Sequence, residues 1–200
     1  PLSLELTILA LMLALVMGIP QGIMASLGRN PVADTANRVL GLLGLSLPQF
    51  WMASLMVLVF SNTPGWIPMG NFVPFFEDPL RNLKMMLLPS LAIGLGLAAV
   101  IMRYTRNSML EVLQMDYVRT ARAKGLTNRA VILKHALKNA ILPVITVAGF
   151  NTGYLLGGAI VIEEVIARPG MGRLARVANH HGESPVSQAI VMELDTLFML

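Results

Sequence analysis

No cysteine occurs anywhere in the 200 residues. Disulfide frameworks, thiolate metal sites and thiol chemistry are therefore excluded for this sequence, and cysteine usage leaves the redox compartment open. Charge is scarce too: 13% of residues are charged, against about 25% in an ordinary soluble domain, while 55% are hydrophobic. Also missing is any G-x-x-x-x-G-K-[ST] pattern, so the chain cannot cradle nucleotide phosphates on a P-loop. No Ser/His/Asp arrangement and no paired carboxylate supports catalysis. His180 and His181 are adjacent, point away from one another on a helix or strand, and have no third ligand cluster, so metal binding is not expected.

What is present is a set of long charge-free runs. Leu6 to Gly28 holds 23 residues, Val39 to Phe76 holds 38, Met85 to Met102 holds 18 and Asn139 to Ile162 holds 24. A membrane span needs roughly 20 apolar residues. These runs predict an all-α polytopic membrane helix bundle with four full spans, at about 6–28, 40–61, 85–102 and 139–162. Pro20 falls inside the first and is expected to kink it. Ser61 to Phe76 carries Pro64, Gly65, Pro68, Gly70 and Pro74, a composition expected of an ordered extramembrane loop. Trp51, Trp66 and nearby phenylalanines suit the headgroup level. Glu77-Asp78-Pro79 is a helix-start signal.

A partial fifth span is expected at 189–200, where 12 residues reach only about 18 Å and contain Glu193 and Asp195. The chain begins at Pro1 rather than Met and stops inside this run, so truncation at both ends is expected. The first run lacks the basic n-region and cleavage site of a signal peptide.

Between the third and fourth spans lies a basic insert, 103–138, with eight Lys/Arg against Glu111 and Asp116. The chain as a whole carries +4. Placing this insert inside puts ten positive residues on the cytoplasmic side and five on the other, which the positive-inside rule favours. Its core, Asp116 to Pro143, reads as helix, turn, helix. Gly125 is placed to end the first helix at φ > 0, and Thr127 or Asn128 to cap the second. Composition leaves two readings open: a topology signal, or a segment lying on anionic lipid. Nucleic acid is not an expected partner, because no aromatic stacking platform accompanies the basic residues.

The sequences DYVRTARAKGL and KHALKNAILPVIT resemble the cytoplasmic signature of binding-protein-dependent ABC importer permeases, more narrowly the B-type permeases of the dipeptide/oligopeptide/nickel permease family. Supporting matches are Leu88-Pro89-Ser90 opening a span, the stretch from Arg103 to Val112, Gly157-Gly158 through Glu163, and Arg168-Pro169-Gly170-Met171-Gly172-Arg173. The resemblance covers about residues 1–192 and implies an ABC type I transmembrane domain in the bacterial-type inner membrane. It also implies that the short helix before Gly125 is a coupling helix seated in a cleft of an ATPase subunit.

On that resemblance the coupling residues are Asp116, Tyr117, Arg119, Thr120, Ala121, Lys124, Gly125 and Leu126. Arg119 stands where the general importer motif has an acidic residue, and Lys138 where it has proline. The implied partners are a second permease subunit in a heterodimer, two ABC ATPase subunits, an external substrate-binding protein and membrane lipid. No cofactor is expected on this chain itself; ATP and Mg²⁺ belong to the partner subunits, so the chain is a transport subunit and not an enzyme. The implied cargo is a dipeptide or oligopeptide, with nickel or glutathione as alternatives. A secondary carrier or channel would instead show intramembrane ionisable residues or an inverted repeat.

Outside the insert, Gly149, Gly153 and Gly157 recur every four residues, a ridge for close helix approach either within the bundle or against a second permease. Asn151 and Thr152 beside it are candidate polar groups of the pathway. Glu163 and Glu164 are read as marking the water interface, or else as a docking or cation-attracting site. The loop Ala167 to Arg173 is expected to shape an external gate. In the tail, Glu183-Ser184-Pro185-Val186 replaces the family's Asp-Tyr-Pro-Val type segment, making 193–200 a divergent end.

Overall fold

The computed structural model describes residues 2–28, 47–61 and 73–165, together with the single positions 188 and 192. Regular structure among the described residues is helical throughout. Helix α1 is Leu2–Leu27, α2 is Gln49–Ser61, α3 is Pro79–Val112 and α4 is Asp116–Ala123. A single turn, α5 (Asn128–Ala130), leads into a π-helical turn, Val131–Ala136, and then into α6, Leu137–Val165. Among the described residues, three helical stretches are long and apolar enough to cross a membrane: Leu2–Leu27, Pro79–Val112 and Asn128–Glu163. The expected span at 40–61 is described only from residue 47, and its helix there is the 13-residue Gln49–Ser61. The partial span at 189–200 and the loop Ala167 to Arg173 lie outside the described residues, apart from Met192.

The third span is much longer than its charge-free run. At 34 residues, α3 reaches about 51 Å, well beyond a roughly 30 Å hydrocarbon core. Its start is the expected one. Asp78 is the N-cap, accepting a 3.0 Å hydrogen bond from the Arg81 N–H, and Pro79 occupies the first position, where no N–H is needed. Leu88-Pro89-Ser90 therefore does not open this span. Pro89 lies ten residues inside the helix, as Pro20 and Pro143 lie inside α1 and α6. At the other end the helix continues from Arg103 to Val112, so the first third of the expected insert is the projecting end of a span. The separate insert shrinks to the segment between Val112 and Asn128.

The described residues form two compact units. One draws on the Pro1–Leu13, Leu47–Leu95 and Asn151–Leu200 stretches. Leu6, Met86, Ile93, Leu155 and Ile162 are fully buried in it. Gly94 faces the Ala10 carbonyl so closely that a Cβ would sit 2.8 Å from the oxygen. Its interior also contains Ser3, Thr7, Asn82, Ser90 and Glu163. Thr7 donates to the Ser3 carbonyl at 2.8 Å, and the Asn82 amide donates to the Val73 carbonyl at 2.9 Å.

The other unit draws on Ala14–Ser46 and Gly96–Phe150. Here α1 meets α3 through glycine. A Cβ on Gly18 would lie 2.7 Å from the Ala98 carbonyl oxygen, and one on Gly22 would lie 2.5 Å from Thr105 Cβ. Lipid tails are as apolar as leucine, so close van der Waals packing through small residues holds such helices together. Below that crossing, Met109, Val112, Val118, Ala121, Val131, Ala136 and Ala140 form one buried cluster, with Ile23, Leu113, Ile132 and Leu137 packed around it.

Candidate functional site

The basic segment is built on that last cluster. Helix α4 has eight residues, too few to be stable alone in water. Two of its side chains, Val118 and Ala121, are buried, and at a spacing of three they share one face. They pack onto the end of α3 (Met109, Val112) and the start of the next helix (Val131, Ala136, Ala140). Every other position of α4 is exposed. The helix is thus held from beneath by two small apolar residues and presents its charged face outward.

Its ends are both defined. At the N-terminus Met115 is extended and makes no side-chain cap, while Asp116 places a carboxylate in the first turn. There it suits the positive end of the helix dipole. Asp116 and Arg119 approach to 3.7 Å with side chains 98% and 74% exposed, so their attraction is largely screened and contributes little to stability. Thr120 Oγ1 donates to the Asp116 carbonyl at 3.0 Å.

At the C-terminus Gly125 has φ +79°, the sole positive φ recorded for a glycine among the described residues. Its N–H donates to the Arg122 carbonyl at 3.0 Å, and the Leu126 N–H donates to the Ala121 carbonyl at 3.4 Å. This pair of bonds is a Schellman motif, which satisfies the last carbonyls and turns the chain away from the helix axis. Thr127 then caps the following helix, accepting from the Ala130 N–H at 3.4 Å.

Of the eight expected coupling residues, seven are therefore surface groups on or just after α4. Asp116, Tyr117, Arg119, Thr120, Lys124, Gly125 and Leu126 are all exposed. Ala121 is the exception. It is 6% exposed and faces the buried cluster, so it anchors the helix and presents nothing outward. Its small size has a packing reason: α4 rests directly on two other helix ends.

Two features of this region escape a reading by composition. The first is the π turn. Leu137 N–H donates to the Ile132 carbonyl, five residues back. Buried positions in this region step from Val131 to Ala136, then to Ala140, Val144 and Ala148. One step of five is followed by steps of four. The extra residue in the turn rotates Ala136 into the core, where an unbroken α-helix would bring His135. That step is visible in the sequence as a stripe of Val and Ala with one wider gap. The second feature is a side-chain link: Asn139 Nδ2 donates to the Tyr117 hydroxyl at 2.8 Å, and that hydroxyl lies 3.5 Å from the His135 carbonyl oxygen.

The remaining expected sites lie apart from this segment. A Cβ added at Gly149 or at Gly157 would meet nothing within 4 Å, so neither glycine serves close packing among the described residues. Gly153, Asn151 and Thr152 are half-buried. Gly158, not part of the expected ridge, is the tight one: a side chain there would collide with the Gln49 carboxamide. Glu163 does not mark a water interface. It is 1% exposed and accepts a short hydrogen bond from Ser3 Oγ, because α1 places a hydroxyl against this carboxylate.

Residues 18–197 match the family model described as binding-protein-dependent transport system inner membrane component. The chain is 40% identical over 199 residues to a putative peptide transport system permease protein of Brucella abortus, covering 100% of this chain and 63% of that protein. It is 38% identical over 218 residues to the dipeptide transport system permease protein DppB of Alkalihalophilus pseudofirmus, covering 99% and 66%. A third relative, the glutathione transport system permease protein GsiC of Escherichia coli, is 39% identical over 198 residues, covering 99% and 62%. The chain thus spans about 63% of the length of the first of these relatives. Matched by the family model over all but its first 17 and last three residues, it belongs to the binding-protein-dependent transport system inner membrane component family.

Proposed function

We propose that this chain is part of the permease subunit of an ATP-driven importer that moves peptides across the inner membrane, with ATP hydrolysed in trans. The observation that carries this reading is α4: a basic helix anchored by Val118 and Ala121 across the ends of two membrane-length helices, with its outer face free. A helix mounted in this way passes a push at its outer face into both spans. The missing P-loop supports placing ATP and Mg²⁺ on separate ATPase subunits. By the same reading the complex has two ATPase subunits, a second permease and an external binding protein. Asp116, Arg119, Thr120, Lys124, Gly125 and Leu126 form the face toward the ATPase, while the Tyr117 hydroxyl is turned to Asn139 of α6.

Peptide is the favoured cargo because relatives at 40% and 38% identity are named as peptide and dipeptide permeases. Glutathione is the second reading, supported by the relative at 39%; it is a tripeptide whose first linkage runs through the γ-carboxyl. The test is reconstitution of the full-length permease with its ATPase subunits and second permease in lipid vesicles, supplied with the external binding protein. Uptake of labelled dipeptide that requires ATP is the expected result. Uptake that persists without any ATPase and follows an ion gradient would establish a secondary carrier instead.

A further inference from the structure

We propose that Tyr117 is a positioning residue whose hydroxyl pins α4 to the π turn, so that displacement of α4 reaches α6 without being absorbed between them. This rests on the coupling reading of α4 and adds a mechanical element to it. The contact is specific: Asn139, two residues into α6, donates to Tyr117 Oη at 2.8 Å. The Tyr117 hydrogen then has the His135 carbonyl oxygen within 3.5 Å, longer than the 2.7–2.8 Å typical of such bonds. Tyr117 therefore touches both sides of the junction between the π turn, which ends at Ala136, and α6, which begins at Leu137.

The junction needs such a pin because a π turn has two hydrogen-bond registers available. In the π register the Leu137 N–H reaches back five residues, to Ile132. In an α register it would reach Leu133, and His135 would rotate towards the position held by Ala136. Single π turns inside α-helices are uncommon and cluster where helices change shape in function. Unpinned, this turn absorbs part of a push on α4, and α6 follows less. With Asn139 held against Tyr117, α4 and the first turn of α6 move together, and the register of the turn is fixed by the same hydroxyl. Val118 and Ala121 hold α4 against both helix ends, and the directional bond between Tyr117 and Asn139 ties it to one residue of α6.

The test removes the hydroxyl and keeps the ring: Tyr117→Phe in the full-length permease, assembled with its ATPase and second permease subunits in sealed lipid vesicles and supplied with the external binding protein. Three quantities are read: ATPase subunits retained per permease, peptide transported per ATP hydrolysed, and amide exchange across 135–140. Retention at the wild-type level is expected, with transport per ATP lowered about fivefold and exchange at 135–140 about fivefold faster, the factor that one net hydrogen bond supplies. Asn139→Ala is expected to do the same, and the double variant to do no more than either alone.

Transport per ATP within twofold of wild type in both single variants would overturn the pin while leaving the coupling reading of α4 intact. Loss of ATPase retention in both would overturn it as well, by making the link a folding contact. A wild-type permease that retains no ATPase would instead overturn the coupling reading beneath it.

Discussion

Ser3 Oγ donates a hydrogen bond to the carboxylate of Glu163, 160 residues away in the chain, and both side chains are 1% exposed. The contact joins the first turn of α1 to the last turns of α6 within one compact unit. A carboxylate in such a place costs free energy unless its lone pairs are met. Ser3→Ala is expected to destabilise the folded protein by about 1.5–3 kcal/mol, the usual worth of one hydrogen bond to a charged group. Glu163→Gln retains an acceptor for Ser3 and should cost less than Glu163→Ala. Unfolding in mixed micelles, followed by tryptophan fluorescence, measures the order. Equal stability of Glu163→Ala and wild type would remove the structural role assigned here.

Glycines of this chain divide into those that other atoms touch and those that nothing touches. At Gly22 a methyl group would meet Thr105 and the Met102 carbonyl at 2.5 and 2.7 Å, so backbone must move. Gly22→Ala should cost about 1–3 kcal/mol, the range for overpacking a tight contact. At Gly149 and Gly157 the space is open. Gly149→Ala and Gly157→Ala should leave the isolated chain as stable or up to about 1 kcal/mol more stable, from helix propensity alone. The same unfolding assay decides. Destabilisation by Gly149→Ala would mean that its face is packed after all.

Gly125 gives a sharper contrast between conformation and space. Its φ of +79° is strained for any residue with a Cβ, although a Cβ would meet no atom within 4 Å. Gly125→Ala is expected to cost about 1–2 kcal/mol through backbone strain alone. Asn should be milder, since it tolerates the left-handed region. Proline cannot adopt this φ at all and removes the N–H that bonds to Arg122. Gly125→Pro should therefore unravel the end of α4 and abolish peptide-stimulated ATP hydrolysis while the permease still inserts. Membrane fractionation together with ATPase rates checks both halves. Normal stimulation in Gly125→Pro would show that the end of α4 is not part of the transmission.

How much of this is legible in the sequence depends on which force sets each feature. Helix caps are local chemistry, so Asp78-Pro79, Thr127 and Gly125 can be read directly from residue type and spacing. The spans are legible as charge-free runs, but their ends are not. Arg103 to Val112 stays helical because Met109 and Val112 are buried against α4, a tertiary effect that charge counting cannot register. Ala121 groups with its exposed neighbours in the motif because a family motif marks position and says nothing of facing. Glu163 misleads for a related reason: a carboxylate near a span end suggests water, and its partner Ser3 lies far away in sequence. The pin between Tyr117 and Asn139 has no sequence signal at all, whereas the π turn leaves one, the single five-residue step in the Val/Ala stripe.

The outer face of α4 can be tested directly because these 200 residues contain no cysteine. Arg119 is exposed, and its position turns it away from the face shared by Val118 and Ala121. A single Arg119→Cys variant, in a transporter with no other reactive thiol on the permease, offers a unique site for a short thiol-directed cross-linker. If α4 sits against the ATPase, Arg119→Cys should cross-link to that subunit in the assembled complex, with a yield that changes on adding ATP and Mg²⁺. The inward-facing Ala121→Cys should not cross-link. An intact, ATP-hydrolysing complex in which Arg119→Cys reacts freely with water-soluble maleimide, yet never cross-links to the ATPase, would contradict the assignment of α4 as the coupling helix.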